Sequence, residues 1–366
     1  MDTAFSLITI ALGFVALVGG GEFLIRSSSK LAAAVGIPPL VIGLTVVAFA
    51  TSAPELAVVI QSSFAGKTDL AIGNAVGSNI FNVLFVLGLS AFVAPLVVTA
   101  RLVRLDVPLM IGASILLLLL SIDGRLGRWD GSLMFILLVA YIAWTIRESR
   151  KAKRLVKQEF AEEFATTRGN HLWIQFVFFI AGLALLVVGA HLTVQGCVSI
   201  AKSYGVSELI IGLTVIAIGT SLPEVVTSVV ASYRGERDIA VGNVIGSNMF
   251  NILGVLGLGS IVAPAGIDVS LDAIRFDIPV MIVVAIVCLP IFFVGNRIAR
   301  WEGGLLFAYY LAYTSYLILH ATGHGFGQVL EGALVFFALP LTTLTILIGV
   351  YRYWRKLQIE VAQDNQ

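Results

Sequence analysis

Charge is what this sequence most lacks. Asp, Glu, Lys and Arg make up only 12% of its 366 residues, against about 25% in a soluble globular chain. With 58% hydrophobic residues and a mean hydropathy of +0.98, it falls outside the soluble class and reads as a membrane protein. The net charge is +1, and no basic patch with interleaved aromatics occurs, so nothing points to nucleic acid. Cysteine is nearly absent: Cys197 and Cys288 stand in apolar surroundings and give neither a disulfide framework nor metal-ligand spacing. No nucleophile–base pair or metal-hydrolase motif is present, which argues against an enzyme. The start, MDTAFSLITI, lacks the basic region of a cleaved signal peptide and reads as a first span.

Long apolar runs are what the chain does have. At roughly 20 apolar residues per span, eleven are expected: 4–25, 37–64, 70–98, 106–122, 130–147, 171–193, 207–232, 239–264, 276–294, 302–320 and 331–351. Basic residues favour cytoplasmic loops. With the N-terminus outside, 18 of the 23 Lys and Arg residues fall on inner loops or the tail, which predicts an outer N-terminus and a cytoplasmic C-terminus.

The chain is written twice. Residues 43–89 align without a gap on 212–258, at an offset of 169, with 25 of 47 positions identical. Five spans per unit is an odd number, so the second unit enters the membrane inverted, a plan that places binding sites at mid-depth between the repeats. The expected fold is therefore an all-α polytopic membrane protein of two inverted-topology five-helix repeats, a ten-helix core, plus an eleventh C-terminal transmembrane helix. Its parts are a first repeat (1–147), a cytoplasmic linker (148–169) that reads as a solvated connection, a second repeat (170–320), and the extra span and tail (321–366).

Two acids sit where acids are costly. Glu55 in ATSAPE and Glu224 in GTSLPE lie near the middle of apolar spans, where a charge costs at least about 2.5 kcal/mol and usually faces a cavity. Pro54 and Pro223 lack the N–H that would satisfy the carbonyls of Ala50 and Gly219, so each predicts an opened turn. Thr51 and Glu55 share one face across that turn, as do Thr220 and Glu224. Carbonyl, hydroxyl and carboxylate are hard oxygen ligands, and two facing sets supply about the six to eight oxygens that calcium takes. Two carboxylates overcharge a single monovalent site, so the set reads as one divalent ion or several monovalent ones. In the following spans Asn74, Ser78 and Asn82 form one polar stripe, repeated by Asn243, Ser247 and Asn251. Gly73 with Gly77, and Gly242 with Gly246, predict close helix approach. Alone, each feature has a structural explanation in packing or helix–helix bonding; all of them recurring at one offset argues for a site.

GLTVVAFATSAPE with GNAVGSNIFN, and GLTVIAIGTSLPE with GNVIGSNMFN, resemble the two alpha-repeats of the calcium/cation antiporter superfamily, and most of all its prokaryotic sodium/calcium exchanger branch. The resemblance spans roughly residues 5 to 320. It implies ion sites between the second and third helices of each half, in a prokaryotic inner membrane. Glu55 and Glu224 would be shared calcium ligands, with oxygens from Thr51 and Thr220. Ser52, Ser221, Ser78, Ser247, Asn82, Asn251 and the backbone at Ala48 and Ala217 would complete sodium sites. Some relatives carry an aspartate where Asn251 stands, so the central charge is lower here, and the missing acid argues against potassium coupling. The resemblance further implies calcium and sodium as transported partners, no cofactor beyond those ions, and electrogenic exchange by alternating access. Two rivals stand beside it: a proton-coupled cation antiporter, and a non-transporting cation-sensing membrane protein.

Overall fold

The computed structural model describes residues 3–35, 37–151, 172–206, 211, 215, 217–293 and 296–321. The eleventh span expected at 331–351, the tail, the linker beyond Lys151 and most of 207–216 lie outside the described residues.

Backbone groups in hydrocarbon must be satisfied within their own segment, and the described chain is almost wholly helical. Its helices are α1 (Thr3–Val35), α2 (Pro39–Thr51), α3 (Ala53–Phe64), α4 (Thr68–Val93), α5 (Leu102–Leu120) and α6 (Arg128–Lys151). Six more follow: α7 (Leu172–Ser203), α8 (Ala217–Thr220), α9 (Leu222–Tyr233), α10 (Arg237–Val262), α11 (Ala273–Phe292) and α12 (Arg300–Ala321). Among the described residues seven helices are long and apolar enough to cross a membrane, or eight if the bent pair α2–α3 is one span. The span expected at 302–320 forms α12, whose Tyr309, Tyr310, Tyr313 and Tyr316 dilute its hydropathy, and it is not among the seven.

Small residues set the packing. α1 and α7 run antiparallel along a seam of glycines: a Cβ on Gly13 would meet the Gly189 carbonyl at 2.8 Å, and one on Gly20 the Gly182 carbonyl at 2.8 Å. Gly182 and Gly189 are the counterparts of Gly13 and Gly20 at the 169-residue offset, so the two contacts are equivalent. α1 has 33 residues, about 50 Å of helix at 1.5 Å per residue, so it must tilt or project from a bilayer core of roughly 30 Å.

The core lies elsewhere. The apolar window of α10 is 89% buried and that of α4 72%, against 28% for α6 and for α7. The two helices that carry the polar stripes are thus the centre of the molecule. Each contains a wide π turn, Asn82–Leu87 in α4 and Phe250–Leu256 in α10, a distortion that is frequent at functional sites.

Of the glycine pairs expected to allow close approach, the second packs tightly. Gly242 and Gly246 are buried against α2, where added Cβ atoms would meet the Leu40 carbonyl at 2.9 Å and the Leu44 carbonyl at 2.6 Å. Gly73 is exposed and Gly77 half-buried, and among the described residues no heavy atom lies within 4 Å of a Cβ built on either. The expectation holds for the second pair; Leu209 and Leu213, the counterparts of Leu40 and Leu44 for the first pair, lie outside the described residues.

Two short antiparallel ladders qualify the all-helical expectation. β1 (Leu96–Val97) pairs with β4 (Arg297–Ile298), and β2 (Arg125–Leu126) with β3 (Ile267–Asp268). Each joins a loop of the first half to a loop of the second.

Candidate functional site

The helix break expected at Pro54 falls at Ser52, whose φ of −83° and ψ of 5° leave the helical range. α2 and α3 meet there at a 42° bend. Pro54 opens α3, where its missing N–H costs nothing. Ser221, with φ −92° and ψ 7°, repeats the break between α8 and α9, and Pro223 opens α9. Glu55 and Glu224 consequently stand in the first turns of α3 and α9, where free N–H groups and the helix dipole favour a carboxylate.

The two breaks meet. Ser221 donates its hydroxyl to Oε1 of Glu55 at 2.9 Å, and Ser52 donates to Oε1 of Glu224 at 3.3 Å. Ser221 also bonds Ser78 at 3.1 Å. On the other side Thr51 donates to Oδ1 of Asn243 at 3.1 Å and lies 3.3 Å from the Ser247 hydroxyl. Its counterpart Thr220 donates to Oδ1 of Asn74 at 3.4 Å. Asn243 in turn donates to Ser228 at 3.0 Å. Both polar stripes therefore face the breaks of the opposite repeat, as the sequence periodicity requires.

Almost all of this is sealed from the surface. Thr51, Ser52, Glu55, Ser78, Asn82, Ser221, Glu224, Ser247 and Asn251 are buried, while Thr220 is half-buried. The Ala48 carbonyl accepts from the Ser52 N–H at 3.0 Å and lies 3.3 Å from the Thr51 hydroxyl. Ala217 opens α8, one turn ahead of the second break.

The polar set is left incomplete in a particular way. Oε2 of Glu55, Oε2 of Glu224, Oδ1 of Asn251 and both amide atoms of Asn82 are buried with no hydrogen-bond partner among the described residues. No Lys or Arg pairs with either glutamate among the described residues. Buried polar atoms are ordinarily satisfied, and each exception asks for an explanation. The oxygens among these atoms, on two acids and two amides, are of the hard type that calcium and similar cations take.

Three features were not anticipated. Asn79 and Asn248, one residue off the stripes, donate to each other's backbone carbonyls at 3.4 Å. Their signal in the sequence is that both repeats keep GSN at this point. Ser228 props Asn243 and has no such signal, because the residue at its offset is Val59. Asp106, expected at the edge of a span, lies inside a helix that begins at Leu102, and it is fully buried beneath Tyr141, whose hydroxyl donates to it at 2.9 Å. Glu22 pairs with Arg26, four residues on, and also with Arg234 of the opposite half, at 2.9 Å through Nε. His191, at its offset, is exposed beside Gln195.

The chain has relatives among known proteins and solved structures. The sequence profile of the sodium/calcium exchanger protein family matches residues 5–147 and 174–319. The chain is 38% identical over 283 residues to inner membrane protein YrbG of Escherichia coli, covering 76% of this chain and 86% of that protein. It is 31% identical over 341 residues to the sodium/calcium exchanger MaX1 of Methanosarcina acetivorans, covering 84% and 97%. Among solved structures, the sodium-calcium exchanger NCX_Mj soaked with zero Na+ and Ca2+ superposes with a TM-score of 0.73 at 28% identity, covering 86% of this chain and all of that one. Apolar helices in this number make the chain an integral multi-pass membrane protein, its fold is that of an exchanger rather than an enzyme, and it belongs to the sodium/calcium exchanger protein family of the calcium/cation antiporter superfamily, in its prokaryotic branch.

Proposed function

We propose that the chain exchanges sodium for calcium by alternating access, both ions competing for one mid-membrane site built on Glu55 and Glu224. The observation that carries this is the pair of buried carboxylates, each held through Oε1 by a serine of the opposite repeat and each with Oε2 unpartnered. Thr51, Thr220, Ser52, Ser221, Ser78, Ser247, Asn82 and Asn251, with the backbone at Ala48 and Ala217, line the same place and serve as further oxygens. Calcium matches the two charges outright. Sodium must enter as more than one ion to neutralise them, and the two loads exclude each other because they use the same acids.

The inverted ten-helix plan underlies this reading. The antiparallel contact of α1 with its counterpart α7 supports it. So do the ladders, because paired loops must lie on one side of the membrane. With the N-terminus outside, Glu22, Arg234 and the β1–β4 ladder fall on the cytoplasmic side. α10 is closed on α2 at Gly242 and Gly246, which fits a site shut on the cytoplasmic side. An empty site carrying two charges resists crossing the membrane interior, whereas a loaded one is neutral enough for the flanking helices to move past it.

The test is radiocalcium uptake by sodium-loaded proteoliposomes. Uptake that follows the outward sodium gradient supports the reading. Uptake driven by a pH gradient and indifferent to sodium would instead identify the proton-coupled antiporter.

A further inference from the structure

Asparagine amides have two different ends, and a hydrogen-bond network can force which end points where. Asn79 in α4 and Asn248 in α10 are counterparts at the 169-residue offset, both buried. The amino group of Asn79 faces the backbone carbonyl of Asn248 at 3.4 Å and the Met281 sulfur at 3.4 Å. That of Asn248 faces the Asn79 carbonyl at 3.4 Å and the Met110 sulfur at 3.5 Å. Carbonyl oxygen and thioether only accept, so neither amide can be turned round.

This fixes the next step. With its amino group committed, Asn79 presents Oδ1 to Asn251, whose Nδ2 donates to it at 3.1 Å. Asn251 therefore has its own Oδ1 held away from Asn79, buried and unpartnered. It stands one helical turn beyond Ser247, on the face that meets Thr51. The other half differs. Oδ1 of Asn248 is oriented in the same way, yet it has no partner, and neither amide atom of Asn82 has one among the described residues.

We propose that Asn79 is a positioning residue of the ion site: it locks the Asn251 carboxamide with its oxygen toward the ions, while its counterpart Asn248 leaves Asn82 unlocked, so that the two half-sites are unequal donors. This rests on the reading of Glu55 and Glu224 as an ion site. Asn251 is a fixed neutral oxygen, ready before the ion arrives. Asn82 turns its oxygen inward only when an ion is there to receive it.

The repeat supplies its own control. Asn79→Leu and Asn248→Leu each remove one amide-to-carbonyl bond and one amide–sulfur contact at similar volume, so packing alone predicts equal damage. Calcium titration of the purified full-length protein, with thermal melting alongside, distinguishes the two. Asn79→Leu should weaken calcium binding about tenfold, the loss of roughly one oriented bond, and Asn248→Leu by less than about threefold. Combining Asn79→Leu with Asn251→Ala should weaken binding no further than Asn251→Ala alone. Should Asn79→Leu fail to fold, Asn79→Asp keeps an acceptor for Asn251: near-normal calcium binding at a lowered melting temperature supports the proposal, and about tenfold weaker binding overturns it. Equal losses at Asn79 and Asn248, or additive losses in the double variant, also overturn it while leaving the ion site standing. If the wild type binds no calcium, or Glu55→Gln leaves binding intact, the ion site itself fails and the proposal falls with it.

Discussion

The hydroxyl of Ser221 holds Oε1 of Glu55 at 2.9 Å, and the hydroxyl of Ser52 holds Oε1 of Glu224 at 3.3 Å. Each half of the chain thus orients the acid of the other. Neither repeat contains the cluster alone, so assembling the site and packing the two repeats are one event.

Ser52→Ala and Ser221→Ala each remove an oxygen and release one carboxylate from its donor. A hydrogen bond to a charged group is worth about 1.5–3 kcal/mol, so half-saturating calcium should rise at least about tenfold in either variant. Calcium-dependent flux measured with and without sodium checks this. The two effects should be similar, since the bonds are counterparts.

The seam at Gly246 leaves no room for a side chain. A Cβ at Gly246 would lie 2.6 Å from the Leu44 carbonyl and 2.7 Å from the Ala48 Cβ. Gly246→Val should therefore destabilise the protein by about 1–3 kcal/mol, seen as a lowered melting temperature in detergent.

Protons bind the same carboxylate oxygens as the ions. As pH falls, the protonated fraction of Glu55 and Glu224 grows and the calcium-competent fraction shrinks. Half-saturating calcium should accordingly rise on acidification while the maximal rate at saturating calcium is retained. Initial rates over a pH series, with pH equal on both sides, measure this.

Tyr141→Phe removes the hydroxyl that donates to buried Asp106 at 2.9 Å. Leaving a buried acceptor unsatisfied costs about 1–3 kcal/mol. The expected result is a lower melting temperature with unchanged calcium affinity, because these residues join α5 to α6 and take no part in the cluster at the breaks.

Most of the candidate cluster was legible because the chain repeats. The twice-written kink, acid and stripe named Glu55, Glu224 and the residues facing them, and the structure brings these together. What was not legible depends on contacts between repeats. Pro54 marked the break but not its position at Ser52, because where a helix parts depends on what packs against it. Asn79 lies off the four-residue stripe, and its bonds to Asn248 and Asn251 appear only when α4 crosses α10. Asp106 looked terminal because its helix begins a turn earlier, within the π turn Leu102–Asp106.

Calcium titration of the purified wild type, Glu55→Gln and Glu224→Gln tests the central claim most directly. Glutamine keeps the volume and an Oε1 acceptor, so the fold should persist by melting temperature. The account predicts one saturable calcium per chain in the wild type, displaced by sodium and lost in either variant. Binding that survives both substitutions, or that sodium does not displace, would contradict it.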